Sequence, residues 1–403
     1  MTLPGRYLPG RTNHAVERPR HHESSPEFIA LASQPGCNRG ELCRRFSISP
    51  QTAYKWLARH RQEGAAGLAD RPRRPHHSPE RTSDFLEQLV LMLRREHPSW
   101  GGRKISRRLS DLGHAEVPAP STVTSILHRH GLIDPQASAQ ATPWRRFEHD
   151  EPNALLQMDF KGQVPNERGV CYPLTLIDDH SRFNLCLAAC ADQRRQTVQQ
   201  QLIGAFRRYG LPRRITMDNG PPWGGDEEGL GYTRLTVWLM QLGIRVSHSR
   251  PYHPQTQGKD ERFHRTLKAE VLQHRRFVDN TEAQQVFDRY RYVYNHERPH
   301  QALDMQVPAQ RYRVSNVAYP EALPEVQYQS GDRVYKVDSS ARIMVGSRRI
   351  KIGKAFIGQW IALRPTRRDG VLTIWFSRFE IGEINLHAAA ACRPQTSPRD
   401  VTS

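Results

Sequence analysis

Three features are missing from this 403-residue sequence, and each absence excludes a class of protein. No run approaches the roughly 20 consecutive apolar residues that a membrane-spanning helix requires. The first residues lack the short apolar block of a secretory signal. We therefore expect a cytoplasmic protein without a membrane partner.

The third feature is a low cysteine content: the whole chain has six cysteines and no CxxC pair. Most of them lie in apolar segments, which favours reduced core thiols over disulfides. A zinc site is the disfavoured alternative, because the nearest grouping of ligands has no established zinc spacing. That grouping consists of His21, His22, Cys37 and Cys43.

Basic residues, in contrast, are abundant. The chain has 59 Lys and Arg against 41 Asp and Glu, which gives a formal net charge of +18 and a pI near 10. The excess extends along the whole chain and is not confined to one tail. Such a surface is typical of proteins that bind polyanions, most commonly nucleic acid. The length predicts several domains.

The amino-terminal region begins with residues 1–25, whose Pro, Arg and His content predicts a disordered basic arm. Either a DNA-contacting arm or a wrongly assigned start would explain it. Residues 26–75 then hold three short helical patterns, the third with Ser49 as N-cap and Pro50 at its first position. This pattern predicts a helix-turn-helix, with a plain helical bundle as the alternative. The candidate DNA contacts on its polar face are Gln51, Thr52, Lys55 and Arg59.

A second helix-turn-helix is predicted in residues 76–135, after a basic linker suited to phosphates. Its last helix has Ser121 as the expected N-cap and Gly131 at its end. Two such units favour a bipartite DNA site, because one unit reads only a few base pairs. The candidate contacts are Arg73 and Arg74 in the linker, and Arg103, Lys104, Thr122 and Thr124 in the second unit.

After residue 135 the sequence pattern changes from helical to mostly extended. Residues 136–150 are a linker by composition. In residues 151–315, three β-rich runs followed by alternating helices and strands predict an α/β domain with a mixed sheet. Residues 325–388 show short strands at regular spacing, the last of them VLTIWFSRFEIG, which predicts a small β barrel. The tail, 389–403, is expected to be disordered.

Three acids are candidates for chemistry. Asp159 and Asp218 each end a predicted strand, where a lone acid is more often a turn residue than a catalyst. Glu261 lies in the first turn of a helix, where the helix dipole also favours an acid. Asp260 falls on the apolar stripe with Phe263, so Glu261 is the better candidate.

Two strand ends and a helix could bring three carboxylates together around two divalent cations, an arrangement that supports in-line phosphodiester displacement. Mg²⁺ suits such oxygen ligands, and Mn²⁺ is a possible substitute. Arg265 and Lys268 on the same helix would then contact the phosphate backbone.

An ordered set of motifs covers most of the chain: QMDFKG, IDDHSR, TMDNGPP, RPYHPQTQGKDERFHRTLK and YNHERPHQAL, preceded by ELCRRFSISPQTAYKWL and HPSWGGRKISRRL. It resembles bacterial insertion-sequence transposases of the acidic-triad (DDE), retroviral-integrase-like superfamily. The resemblance implies a ribonuclease-H-like core, a catalytic and metal-binding triad of Asp159, Asp218 and Glu261, and an SH3-like barrel. It implies that Lys268 contacts the transposon end, with Arg265 beside it.

The sequence departs from the family in two places. The interval from Asp218 to Glu261 is longer than usual, and the extra residues lie in PPWGGDEEGLGYTR. We interpret this as a surface insertion, although Asp226, Glu227 and Glu228 are alternative third ligands. Leu156 also replaces the tryptophan usual before QMD, which changes packing more than chemistry.

The resulting hypothesis is a bacterial, nucleoid-associated DNA transposase that binds terminal inverted repeats and transfers DNA strands. Its partners would be double-stranded transposon ends and target DNA, and work on two ends implies at least a homodimer. One alternative is a non-catalytic DNA-binding relic or repressor derived from a transposase. The other is a nuclease that performs no strand transfer.

Overall fold

The computed structural model describes residues 21–69, 82–133, 148–220, 222–224, 230–248, 258–387 and 392–400. The chain divides into two compact units, Met1–Arg81 and Thr82–Ser403. Three predicted features lie outside the described residues: the arm before residue 21, the linker with Arg73 and Arg74, and most of the 136–150 linker.

The first unit consists of α1 (His21–Ala32), α2 (Arg39–Arg45), α3 (Pro50–Glu63) and a 3₁₀ turn (Gly64–Leu68). Its core centres on Phe28 and Trp56. The predicted cap of α3 is confirmed, because the Ser49 hydroxyl accepts a hydrogen bond from the Thr52 N–H at 3.1 Å. The disordered arm was predicted to extend to residue 25. The structure places residues 21–25 in α1 instead, and Ser25 is buried.

The second unit begins with another helical group, α4 (Asp84–Glu96), α5 (Gly102–Asp111) and α6 (Pro120–Arg129). Gly102 lets α5 cross α6 closely, since a Cβ there would lie 2.3 Å from the Pro120 carbonyl oxygen. The predicted N-cap Ser121 is wrong. Ala119 has the extended capping conformation and Pro120 takes the first helical position, which places Ser121 inside the helix.

A mixed six-stranded sheet forms the centre of this unit, as predicted. β1 pairs antiparallel with β3 and parallel with β5, and β5 pairs parallel with β6. Only β2 was not predicted, since its three residues include a proline and read as a turn. The strands are β1 (Leu156–Phe160), β2 (Val164–Asn166), β3 (Gly169–Asp178), β4 (Asn184–Cys190), β5 (Arg214–Met217) and β6 (Arg245–His248).

Helices cover both faces of the sheet. The alternating side chains of β1 divide between them: Leu156 and Met158 join the core under α7 and α8, and Gln157 and Asp159 project toward α9. Phe263 of α9 and Phe287 of α10 fill a separate core on that side. The helices are α7 (Arg195–Tyr209), α8 (Arg234–Gln241), α9 (Gly258–Leu267), which continues into a π turn (Lys268–Leu272), α10 (Asn280–His296) and α11 (Pro308–Arg311).

The carboxy-terminal region is β-rich but forms no closed barrel within the described residues. Its five-stranded sheet has the order β13-β12-β11-β10-β7, and β8 and β9 form a separate hairpin. The two edge strands, β7 and β13, are not paired with each other, so the sheet stays open. The strands are β7 (Arg333–Lys336), β8 (Arg342–Val345), β9 (Arg348–Lys351), β10 (Trp360–Pro365), β11 (Val371–Phe376), β12 (Phe379–Asn385) and β13 (Cys392–Asp400).

Two finer predictions for this region need correction. The run VLTIWFSRFEIG was expected to be one strand, but Ser377 adopts a left-handed φ of 54° and separates β11 from β12. The tail, expected to be disordered, includes β13, whose backbone pairs with β12. None of the described helices is both long and apolar enough to cross a membrane.

Candidate active site

Two of the three predicted acids meet at one edge of the central sheet. The β1–β5 register pairs Leu156 with Ile215 and Gln157 with Thr216, so that Asp159 comes level with Asp218 at the carboxyl ends of two adjacent parallel strands. Ligands commonly bind at this edge of an α/β sheet. The backbone therefore brings the two carboxylates side by side.

The two carboxylates also interact electrostatically. Burial and, to a smaller extent, the charge of Asp218 together raise the pKa of Asp159 to about 6. A hydrogen bond from the Phe160 N–H to Asp159 Oδ1, at 2.7 Å, opposes the shift. Like charges so placed disfavour ionisation unless a cation lies between them.

Asp218 is held by its surroundings. Its Oδ1 accepts hydrogen bonds from the Gly220 N–H at 3.1 Å and from the Trp223 indole N–H. Its backbone oxygen lies 2.8 Å from Nδ1 of His248, at the end of β6. The Trp223 ring is buried and stacks on Phe160 with centroids 5.3 Å apart. Asp218 thus has a fixed orientation at the sheet edge.

The third predicted acid, Glu261, lies on the exposed side of α9. Its Oε1 is 3.3 Å from the Arg265 guanidinium, and both side chains are 56% exposed. Lys268 is also exposed. An exposed pair one turn apart contributes little and does not lock the Glu261 side chain. The structure shows no contact that joins Glu261 to Asp159 or Asp218 among the described residues.

The neighbouring Asp260 is the acid of α9 that adjoins Asp159. It is fully buried, as its place on the Phe263 stripe predicted. Burial raises the Asp260 pKa well above its ordinary value, and the charge of Asp159 adds to this rise. Asp260 Oδ2 has no hydrogen-bond partner. The sequence signal for this proximity was an acid on the apolar stripe, an uncommon place for one.

A polar contact network links these groups to β3. Thr175 Oγ1 lies 3.0 Å from the Asp159 backbone oxygen, 3.3 Å from Asp260 Oδ1 and 2.9 Å from His264 Nε2. His264 is buried, with Nδ1 3.8 Å from Asp159 Oδ2. Burial lowers the His264 pKa to about 3, so this ring is neutral at pH 7.

The alternative third ligands Asp226, Glu227 and Glu228 lie outside the described residues. Within the described ranges, no group of three or more His, Cys, Asp or Glu side chains is arranged to hold a metal ion. The cysteines Cys37, Cys43, Cys171, Cys186 and Cys190 are free thiols.

The candidate DNA contacts of the first unit share one side of α3. Gln51 and Lys55 are exposed, whereas Thr52 and Arg59 are partly covered. The apolar side of the helix, with Ala53, Trp56 and Leu57, is buried as expected. Tyr54, which the sequence analysis did not select, is 59% exposed beside them.

In the second helical group, the candidate contacts have different surroundings. Arg103, Thr122 and Thr124 are exposed, and the Thr124 hydroxyl donates to the Pro120 carbonyl oxygen at 2.8 Å. Lys104 of α5 is instead largely covered, near Glu270 and Arg298 of the candidate catalytic region (residues 151–315). The Lys104 pKa falls to about 7, mainly through burial and also through the charges of Arg298 and Arg262, while Glu270 opposes the shift.

We expect Lys104 to make stability depend on pH. Its folded-state pKa lies below the ordinary 10.5, so between about pH 7 and 10.5 the unfolded chain binds more protons and stability rises with pH. Lys104→Met should remove this rise, which we expect to be on the order of 1 kcal/mol. Urea unfolding at pH 6 and pH 9 measures it. Arg103→Met, on the exposed side of α5, is the control; equal pH dependence in wild type and Lys104→Met would contradict the assignment.

Comparison with known families agrees with this architecture. Residues 149–254 and 242–308 each match a family described as Integrase core domain. Residues 332–391 match the IS481 family transposase C-terminal domain, and residues 52–127 match a Homeodomain-like domain.

The individual relatives have low sequence identity to this chain. An uncharacterized 39.2 kDa protein of insertion element IS476 from Xanthomonas euvesicatoria is 25% identical over 321 residues, which cover 74% of this chain and 88% of that protein. The Gag-Pol polyprotein of baboon endogenous virus (strain M7) is 26% identical over 265 residues, or 64% of this chain. The chain spans only 14% of that polyprotein and 7% of the Gag-Pro-Pol polyprotein of sheep pulmonary adenomatosis virus.

Among solved structures, a chain of the simian T-cell lymphotropic virus intasome in complex with PP2A regulatory subunit B56 gamma is 14% identical. It aligns with a TM-score of 0.36 over 78% of this chain and 99% of its own. The HTLV-2 integrase catalytic core domain in complex with magnesium is 14% identical, with a TM-score of 0.31 over 40% of this chain and 97% of its own.

The mixed sheet, the paired acids at its parallel strand ends and the two core-domain matches define an integrase-type core. The C-terminal match to an IS481 family transposase domain and the IS476 relative add similarity outside the core. Over these regions the chain is similar to bacterial insertion-sequence transposases of the integrase superfamily.

Proposed function

We propose that the protein is a DNA transposase that binds the terminal inverted repeats of its insertion sequence. In this proposal it hydrolyses a phosphodiester bond to free a 3′ hydroxyl, which then attacks a phosphorus atom in a second DNA strand. Each step breaks one P–O bond and forms another, without a covalent protein intermediate. The observation that carries the proposal is the pair of interacting carboxylates, Asp159 and Asp218.

The donor set at this edge fits a hard divalent cation. The carboxylates supply oxygen ligands of the kind that Mg²⁺ prefers, with Mn²⁺ as a substitute, and a cation would offset the repulsion that raises the Asp159 pKa. Asp159 and Asp218 would hold the metal, and Glu261 would complete the triad. Two such ions, when bound, activate the attacking oxygen and stabilise the leaving oxygen.

The assignment of Glu261 rests on the family resemblance, and its weak surface pair with Arg265 leaves the side chain free to change rotamer. Asp260 is the competing third carboxylate, because it is the acid that adjoins Asp159. Glu261→Gln and Asp260→Asn each remove one charge at nearly constant volume. Only the true ligand should abolish metal-dependent cleavage when replaced.

The remaining groups position DNA. Arg265 and Lys268 lie on the exposed side of α9 and can contact phosphates next to the acids. The exposed polar side of α3 suits a major groove, and the exposed threonines of α6 suit a second contact. Work on two transposon ends requires at least a dimer on DNA.

End cleavage and joining on a labelled duplex that carries the element's own terminus tests the proposal. With Mg²⁺ or Mn²⁺ we expect cleaved and joined products, which EDTA and Glu261→Gln should both abolish. Binding without cleavage under either metal would identify a non-catalytic relic or repressor. Cleavage without joined products would identify a nuclease.

A further inference from the structure

The start of α9 is tied to β1 by a side chain two residues before Asp159. Gln157 is 1% exposed, and its Oε1 accepts hydrogen bonds from the N–H groups of Lys259 at 3.2 Å and Asp260 at 3.3 Å. First-turn N–H groups have no partner within their own helix. Gln157 therefore caps α9 from the neighbouring strand.

The other end of the same amide contacts a buried carboxylate. Gln157 Nε2 donates to Asp179 Oδ1 at 2.8 Å, and Lys259 Nζ lies 2.8 Å from that same oxygen. Asp179 Oδ2 accepts from the His149 N–H at 2.9 Å. The Asp179 and Lys259 side chains are only 1% and 12% exposed. Strand β1, the turn after β3 and the start of α9 thus meet in one polar cluster.

Compared with an apolar contact in the same place, such a cluster gains little net stability, because the desolvation of a buried ion pair offsets much of its attraction; removal of one charge alone is costly. What it does control is geometry. Successive residues of an α-helix lie about 100° apart, so a slip of α9 by a single residue would exchange the directions of neighbouring side chains. A fixed start of α9 determines where Asp260 and Glu261 lie relative to Asp159.

We propose that Gln157, Asp179 and Lys259 form an anchor that positions the acids of α9 against Asp159. These are positioning residues, since their contacts are with the helix and not with DNA. Asp179 thereby acquires a part in assembling the site. This inference rests on the proposed function for its catalytic consequence, but the anchor itself is measurable without DNA.

The chain offers a matched control on the same sheet. Gln284 of α10 also uses both ends of its amide to join a helix to a strand, because its Oε1 accepts from the Ala189 N–H at 2.8 Å and its Nε2 donates to the Leu187 carbonyl at 3.1 Å. Gln157→Met and Gln284→Met therefore each remove amide bonds between a helix and the sheet, three beside the acids and two beside β4.

The test compares these two variants in three measurements. We expect Gln157→Met to speed hydrogen exchange in residues 258–267, to weaken Mn²⁺ binding measured by calorimetry by about 10- to 100-fold, and to reduce cleavage similarly. Gln284→Met should lower the melting temperature but change none of the three. Lys259→Met should resemble Gln157→Met, and Lys259→Arg, which keeps the charge, should recover most of the loss.

Unchanged exchange and Mn²⁺ affinity in Gln157→Met, with only a lower melting temperature, would overturn the anchor and leave a purely structural hydrogen bond. Failure of the proposed function has a different result: the wild type would not cleave DNA, while the contrast in exchange between the two glutamine variants would persist.

Discussion

Asp159→Asn is expected to lower metal-dependent DNA cleavage by about 10³-fold or more, since phosphoryl-transfer enzymes depend almost entirely on positioning and charge stabilisation. Asparagine has nearly the same shape but lacks the charge that a divalent cation requires. DNA binding should be retained, because the candidate contacts lie on α3, α6 and the exposed side of α9. Cleavage by wild type and variant at equal DNA occupancy measures the effect.

The same substitution should make the protein more stable above pH 6. The folded-state pKa of Asp159 is about 6, above the ordinary 3.8, so the folded chain binds more protons than the unfolded chain between these values. Stability therefore falls as pH rises through that window. Asp159→Asn carries no such cost, and its melting temperature should exceed that of wild type at pH 7.5 but approach it near pH 4.

Asp279→Asn is the matched control for both measurements. Asp279 caps α10 by accepting from the Thr281 and Glu282 N–H groups, and asparagine caps helices equally well. This variant should cleave DNA at the wild-type rate. Full cleavage by Asp159→Asn would refute the assignment of Asp159, whereas lost activity with lowered stability at pH 7.5 would indicate damage to the fold.

Local patterns predicted much of this fold. Ser49 as N-cap and Pro50 at the first helical position predicted the start of α3. These features depend on residues within a turn or two of one another, where capping and periodicity decide the outcome. The mixed sheet was likewise predicted from the order of its strands.

Features set by distant contacts were less predictable. Regular strand spacing could not distinguish a closed barrel from the open sheet, because closure depends on whether β7 meets β13. Helical periodicity placed Asp260 in the interior, but its proximity to Asp159 depends on how α9 sits on β1 and β3. The Gln157 anchor was not predicted either, since its partners lie 22 and 102 residues away.

Arg298→Met is expected to lower the free energy of unfolding by about 3–5 kcal/mol, because it leaves a buried carboxylate without its cation. Glu270 Oε1 lies 3.0 Å from Arg298 Nε, and both side chains are only 10% exposed. The Ser99 hydroxyl donates to the same oxygen at 2.6 Å. Since Ser99 lies between α4 and α5, this cluster connects the second helical group to the catalytic region.

The double variant Arg298→Met with Glu270→Met should recover much of that loss, because no unpaired charge then remains. Arg207→Met is the exposed control: Arg207 contacts Glu321 through two hydrogen bonds, but both side chains are more than half exposed, so the loss should be much smaller than that of Arg298→Met. Urea unfolding of the four proteins measures these differences. If Arg298→Met lost no more than Arg207→Met, the Glu270 cluster would be hydrated, and the contact between the helical group and the catalytic region would depend on apolar packing around Val293 and Trp100 instead.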